Sequence, residues 1–123
     1  DLLKISRISQ DFSGLSGNLS DYAENHGFDE SLFKAILRKL DFSREQFEKN
    51  IEDFSDGQKK KVMIAASLCT PAHLYIWDEP LNYLDVYSRK QLEELIIACK
   101  PSMLIVEHDK TFCEAVNADY YEF

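Results

Sequence analysis

The sequence lacks most of the features that would place a chain outside the ordinary folded classes. No apolar run approaches the about 18 residues that a membrane-spanning helix needs, so a transmembrane segment is not expected. No basic stretch followed by an apolar one opens the chain, which argues against a secretory leader. Cysteine is scarce: Cys69, Cys99 and Cys113 make an odd count with no metal-site spacing. Each sits among apolar residues, so buried free thiols in a reducing cytoplasm are the expectation. Basic charge is also short, 14 Lys and Arg against 22 Asp and Glu, for a net charge of −8. Gripping nucleic-acid phosphates needs clustered cations. The one basic run, Lys59-Lys60-Lys61, reads as a solvated helix face. Internal repeats and low-complexity tracts are absent.

What is present is a chain of 123 residues, 45% hydrophobic, enough for a buried core and too apolar for disorder. It begins at Asp1 rather than Met, which suggests an internal cut. Residues 1–12 read as a short strand and a polar loop, and Gly14, Gly17 and Asn18 continue the loop. The pattern is then helical to about residue 53. Leu32, Phe33, Ile36, Leu37 and Leu40 form one apolar stripe. Ser43 and Gln46 have capping-box spacing, and Phe42 and Phe47 can staple across it.

After Phe54 the character changes. Ser55 and Gln58 repeat the capping-box spacing before a helix with Val62, Ala65, Ala66 and Cys69 inward, stopped by Pro71. Leu74-Tyr75-Ile76-Trp77 has no polar alternation and reads as a strand buried on both faces. Residues 85–100 form a helix with Leu92, Leu95, Ile96 and Cys99 on one side. Met103–Val106 is a second buried strand, followed by a short helix and a last strand near Tyr120–Phe123. Strand, helix, strand, helix, strand is solved most economically by a parallel sheet with crossover helices.

That architecture has a chemical consequence. Parallel strands end on one edge, and ligands bind there. Asp78 and Glu79 end one strand, and His108 follows another. Neighbours on an extended chain point apart, so the two carboxylates would take different tasks. One can hold Mg²⁺, which takes few carboxylates plus phosphate oxygens; the other can aim a water at phosphorus. His108 could donate a hydrogen bond to the same phosphate. Ser55 and Gly57 open a helix, and a helix N-terminus offers N–H groups to an anion. The plainer alternatives are a strand-ending turn, a structural histidine and an ordinary helix cap.

The stretch from Phe54 to Asp85 resembles the signature motif, Walker B strand and D-loop of ATP-binding-cassette (ABC) ATPases, in order and spacing. The resemblance implies an α/β fold of the ABC-type P-loop NTPase class, a parallel sheet flanked by helices with an inserted helical lobe. Residues 1–12 would be the Q-loop region, 13–53 the lobe, and 54–123 the core with signature, Walker B, D-loop and switch histidine. It implies ATP and Mg²⁺ as ligands. Ser55, Gly57 and Gln58 would contact the γ-phosphate held by a second ATPase domain. Asp78 would join the Mg²⁺ shell, Glu79 would orient the attacking water, and Asp85 would close the D-loop between domains. His108 would stand near the γ-phosphate, and Gln10, in Ile8-Ser9-Gln10-Asp11, would reach metal and water.

Glu79-Pro80-Leu81-Asn82-Tyr83-Leu84-Asp85 is similar to the EPTNHLD of the ABC-F subfamily, and Glu107-His108-Asp109-Lys110-Thr111-Phe112 to its SHDRxF segment. ABC-F proteins carry two ATPase domains and no membrane domain, and act on ribosomes. The Asp56-Gly57-Gln58-Lys59-Lys60-Lys61 run looks most like the second domain of the antibiotic-resistance, ribosome-protection group. Three positions depart: Asp56 replaces the first glycine of LSGGQ, and Leu81 and Tyr83 replace Thr and His. No GxxxxGK[ST] loop occurs in these residues. The piece alone is therefore expected to bind MgATP poorly and, with a sheet edge open, to self-associate. The alternative is the ATP-binding subunit of an ABC membrane transporter. A clamp that closes on ATP without needing hydrolysis, and a chromosome-organising or repair ATPase, are further readings.

Overall fold

The computed structural model describes residues 4–8, 12, 15–99, 103–107 and 112. Three strands, β1 (Ile5–Ile8), β2 (Leu74–Asp78) and β3 (Met103–Val106), form a parallel sheet in the order β1-β2-β3. Ile5 pairs with Leu74 and Ile8 with Trp77; Tyr75 pairs with Met103 and Asp78 with Val106. Parallel neighbours need long crossovers. The helical lobe and α4 (Asp56–Cys69) supply the first, and α5 (Val86–Cys99) the second.

Side chains alternate across this sheet as the pleat requires. Ser6 and Ile8 are buried while Ile5 is exposed. The register places Ser6 beside Tyr75 and Ile8 beside Trp77, and this face meets α4. The Trp77 indole N–H donates to Ser67 Oγ at 2.9 Å. Ser67 Oγ lies 2.6 Å from Ser6 Oγ, and Tyr75 donates its hydroxyl to the Thr70 carbonyl at 3.0 Å. The expectation that β2 is buried on both faces is corrected here. Trp77 is fully buried, but Leu74, Tyr75 and Ile76 are only partly covered. An unbroken apolar run predicts two covered faces, whereas α4 covers the Tyr75 and Trp77 face.

The lobe comprises α1 (Leu19–His26), α2 (Glu30–Lys39), α3 (Arg44–Phe47) and a 3-10 turn at Ile51–Asp53. Local signals set its ends. Asn18 and Asp29 cap α1 and α2, and Gly27 ends α1 at φ 73°, a left-handed position that glycine takes without a Cβ clash. The Ser43/Gln46 capping box forms, with Phe42 and Phe47 rings 5.7 Å apart across it. Phe33, Ile36, Leu37 and Leu40 are buried as the stripe predicts, but Leu32 is exposed, at the flank of the helix face. Ile51 N–H donates to the Gly17 carbonyl at 2.8 Å and closes the lobe on itself.

The lobe and the sheet share one hydrophobic core. Phe33, Leu37, Ile51, Val62, Ile64, Trp77, Leu92 and Phe112 all belong to it. Burying each large side chain contributes about 1.5–3 kcal/mol. Ser88 on α5 donates its hydroxyl to the Leu40 carbonyl at 3.2 Å, a buried tie between helix and lobe. Cys69 is a free thiol, half-buried rather than fully buried; the Cys99 side chain, Cys113, the helix after His108 as a whole and the strand near Tyr120–Phe123 lie outside the described residues. Among the described residues no helix is long and apolar enough to cross a membrane.

Candidate active site

β2 and β3 end side by side, because Asp78 pairs with Val106. Asp78 is the last strand residue, and the next one turns away: Glu79 has φ 47°. Asp78 and Glu79 therefore do not diverge as neighbours on one extended strand, contrary to the expectation from the sequence. Glu79 has left the strand, and a left-handed backbone turn separates the two carboxylates. A non-glycine residue there costs about 1–2 kcal/mol, and local bonds hold it. Asn82 donates from Nδ2 to Glu79 Oε2 at 2.9 Å, and its backbone N–H to the Glu79 carbonyl at 3.2 Å. Leu81 N–H donates to Glu107 Oε2 at 3.4 Å, which joins the loop after β2 to the end of β3.

The loop from Glu79 to Asp85 is anchored by Leu81 and Leu84, both buried. Arg89 clasps it from α5, donating from Nε to the Leu84 carbonyl at 3.1 Å. Leu81 is thus a core anchor of the loop. Tyr83, by contrast, is exposed, at φ 70°, with its ring 5.7 Å from that of Phe12. Asp85 acts as the cap of α5: its Oδ1 accepts from Ser88 N–H at 2.7 Å. That bond, ahead of the Ser88 hydroxyl and the Lys61 ammonium, holds the Asp85 carboxyl below the usual range.

The N-terminus of α4 lies against this loop. Ser55 Oγ accepts from Gln58 N–H at 3.2 Å and Gln58 Oε1 accepts from Ser55 N–H at 2.9 Å, the complete capping box. Gly57 packs so tightly on the loop that a Cβ there would stand 2.7 Å from the Tyr83 carbonyl oxygen. Lys61 then reaches Asp85 at 3.5 Å. The structure thus brings Ser55, Gly57 and Gln58 to the same region as Asp85, and Glu79 to the start of that loop. Gln10 and His108 lie outside the described residues.

The reading of Lys59-Lys60-Lys61 as a solvated face is corrected. Lys60 is 1% exposed and Lys61 6%. Burial pulls the Lys60 ammonium below the ordinary lysine range, and Asp78, Glu79 and Glu107, in that order, oppose the shift. The missed signal was Ile64. It stands one turn beyond Lys60, fully buried, so both belong to a face of α4 that the chosen stripe did not include. Glu107 was likewise absent from the candidate set, although the strand register brings it beside the Asp78 end of β2.

Asp78, Glu79 and Glu107 are hard oxygen donors and suit Mg²⁺, which typically takes one or two carboxylates and completes its octahedron with water and phosphate. Among the described residues, no three His, Cys, Asp or Glu side chains could hold an ion unaided. Phosphate oxygens would supply the remainder.

Comparison with known proteins places the chain in a family. A family model described as ABC transporter matches residues 3–82, and the chain belongs to that family. It is 35% identical over 118 residues to the ATP-binding protein Uup of Buchnera aphidicola, covering 89% of this chain and 20% of Uup. It is 34% identical to the ribosome protection protein VmlR of Bacillus subtilis, over 71% of this chain and 17% of VmlR. An ABC transporter F family member of Arabidopsis thaliana is 30% identical over 68% of this chain and 12% of its own length. The chain therefore spans about a fifth or less of these relatives. In three dimensions it is similar to the ATP-binding cassette MJ0796, solved as a dimer in a post-hydrolysis state bound to ADP and Pi. The TM-score is 0.70 and the identity 18%, over 91% of this chain and 55% of that one. The fold is the ABC-type P-loop NTPase fold.

Proposed function

We propose that the protein to which this chain belongs hydrolyses MgATP as a two-cassette, F-type ABC ATPase acting on the ribosome. The observation that carries the hydrolytic half is the end of β2, where Asp78 closes the strand and Glu79 is turned out of it by a left-handed backbone. Asp78 would hold Mg²⁺, which withdraws charge from the phosphates during transfer. Glu79 would take a hydrogen bond from water and aim it at the γ-phosphorus, accepting its proton as the bond to ADP breaks. Gln10 would reach the metal and water, and His108 the γ-phosphate.

The N-terminal end of α4 would serve a second cassette. Ser55, Gly57 and Gln58 would meet the γ-phosphate of ATP held opposite, and Asp85 would lie at the junction. MJ0796, similar in fold, was solved as a dimer. VmlR, named a ribosome protection protein, supports the ribosome as the target; antibiotic resistance, which the sequence resemblance implies, would be one consequence. These 123 residues alone, which contain no GxxxxGK[ST] loop, would not turn over ATP.

The test uses the full-length protein with Glu79→Gln, with and without ATP, sedimented with ribosomes. ATP-dependent trapping of the variant is expected. ATP binding without trapping would overturn the ribosomal target and favour a membrane-transporter subunit.

A further inference from the structure

Lys61 has no role in the reading above, yet its side chain is only 8% exposed and ends 3.5 Å from Asp85. Burying an ammonium is costly unless opposite charge stands against it. Asp85 supplies that charge and is fixed from two sides. Its Oδ2 faces Lys61 Nζ on α4, while its Oδ1 accepts from Ser88 N–H at 2.7 Å at the start of α5. Gly57 stands one turn before Lys61 on the same face of α4, and a Cβ there would stand 2.7 Å from the Tyr83 carbonyl oxygen. Consecutive turns of α4 therefore grip one short stretch, at Tyr83 and at Asp85. That stretch is the far end of the loop that Glu79 begins, with its left-handed φ of 47°. Leu81 and Leu84 are buried between, and Arg89 holds the Leu84 carbonyl from α5 at 3.1 Å. A loop anchored in this way passes a shift at Asp85 on to Glu79, because closely packed segments transmit strain.

We infer that Lys61 is a positioning residue for hydrolysis: its ion pair with Asp85 locks the loop of residues 79–85 onto α4 and so holds Glu79 where it meets the attacking water. The inference rests on the reading of Glu79 as the residue that aims that water. Lys61 acts through Asp85 and not on the reacting atoms. Loss of the pair therefore slows the chemical step more than it weakens ATP binding, since misplacing a reacting group by about 1 Å costs up to about a hundredfold in rate. A merely structural lysine would change the amount of folded protein and leave turnover per folded molecule as it is.

The experiment compares wild type, Lys61→Met, Lys61→Arg, Asp85→Asn and the double variant Lys61→Met/Asp85→Asn in the full-length protein. Methionine keeps the apolar stem, arginine keeps the charge, and asparagine keeps an acceptor for Ser88 N–H. Steady-state ATP turnover is measured per folded molecule, with kcat and KM separated. Lys61→Met is expected to lower kcat about tenfold and to move the KM for ATP by less than about twofold. Lys61→Arg should keep the wild-type kcat. The double variant should be no slower than the slower single variant, because both substitutions remove one interaction. Losses that multiply in the double variant show that Lys61 does not act through Asp85 and overturn the inference. So does a wild-type kcat in Lys61→Met, or a loss in Lys61→Arg equal to that in Lys61→Met. If Lys61→Met does not fold, Asp85→Asn decides alone: a fall in kcat supports the inference, and a wild-type kcat overturns it. Glu79→Gln that turns over ATP at the wild-type rate refutes the reading of Glu79 instead.

Discussion

Gly57 on α4 and Tyr83 in the loop after β2 meet backbone to backbone: a Cβ on Gly57 would lie 2.7 Å from the Tyr83 carbonyl oxygen. The obstacle is main chain, anchored on both sides by the buried Leu81 and Leu84, so it cannot swing aside as a side-chain end could. Gly57→Ala should force the helix start and the loop apart at a cost of about 1–3 kcal/mol. Melting of the intact protein checks this, together with a loss of ATP turnover that exceeds the loss of folded protein. A variant with wild-type melting and turnover would mean that the two segments move freely past one another.

Asp85 combines a helix cap with a half-exposed ion pair to Lys61. Asp85→Ala loses both and should cost about 1 kcal/mol, the usual value of a lost cap. Asp85→Asn keeps an acceptor for Ser88 N–H and should cost less, about 0.5 kcal/mol from the exposed pair. Because the folded carboxyl titrates below its ordinary value, its stabilisation is present above about pH 4 and is lost as pH falls through the folded pKa. The gap between wild type and Asp85→Ala in denaturant melts should therefore hold from neutral pH to about pH 4 and narrow as pH falls below it. A gap that stays constant with pH would show that the charge contributes nothing.

Burial, with Asp29 adding to it, pushes the Cys69 thiol up to about 11. Attack requires the thiolate. At pH 8 Cys69 should alkylate about a hundredfold more slowly than an unperturbed thiol. The measurement is iodoacetamide labelling of the native protein in a Cys99→Ser/Cys113→Ser background. The folded state keeps its proton longer than the unfolded chain, so stability should fall as pH rises from about 9 towards 11. Labelling at the rate of a free peptide thiol would contradict the half-buried site.

Much of this was readable in the chain itself, wherever the cause is local. Both Ser-x-x-Gln capping boxes, the Phe42–Phe47 staple and the stop before Pro71 depend on residues within one or two turns, and all appear where the spacing places them. The parallel order follows from alternating strand and helix, because adjacent parallel strands require crossovers. Asp78 at a strand end was legible for the same reason. Glu79 was legible as a candidate but not in conformation, since its φ of 47° is held by Asn82 within a loop that Leu81 and Leu84 anchor in the core.

Lys61 shows the other kind of determinant. Composition and the run of three lysines decide that a cation stands near the start of α4, and nothing local says which way it faces. Only tertiary structure decides that, through the Gly57–Tyr83 contact and the ion pair with Asp85. Capping, turn and periodicity effects act over a few residues, so the sequence determines them by itself. The balance between the cost of burying an ammonium and its attraction to a carboxylate depends on residues 24 positions apart, Lys61 and Asp85, and exists only once the chain has folded.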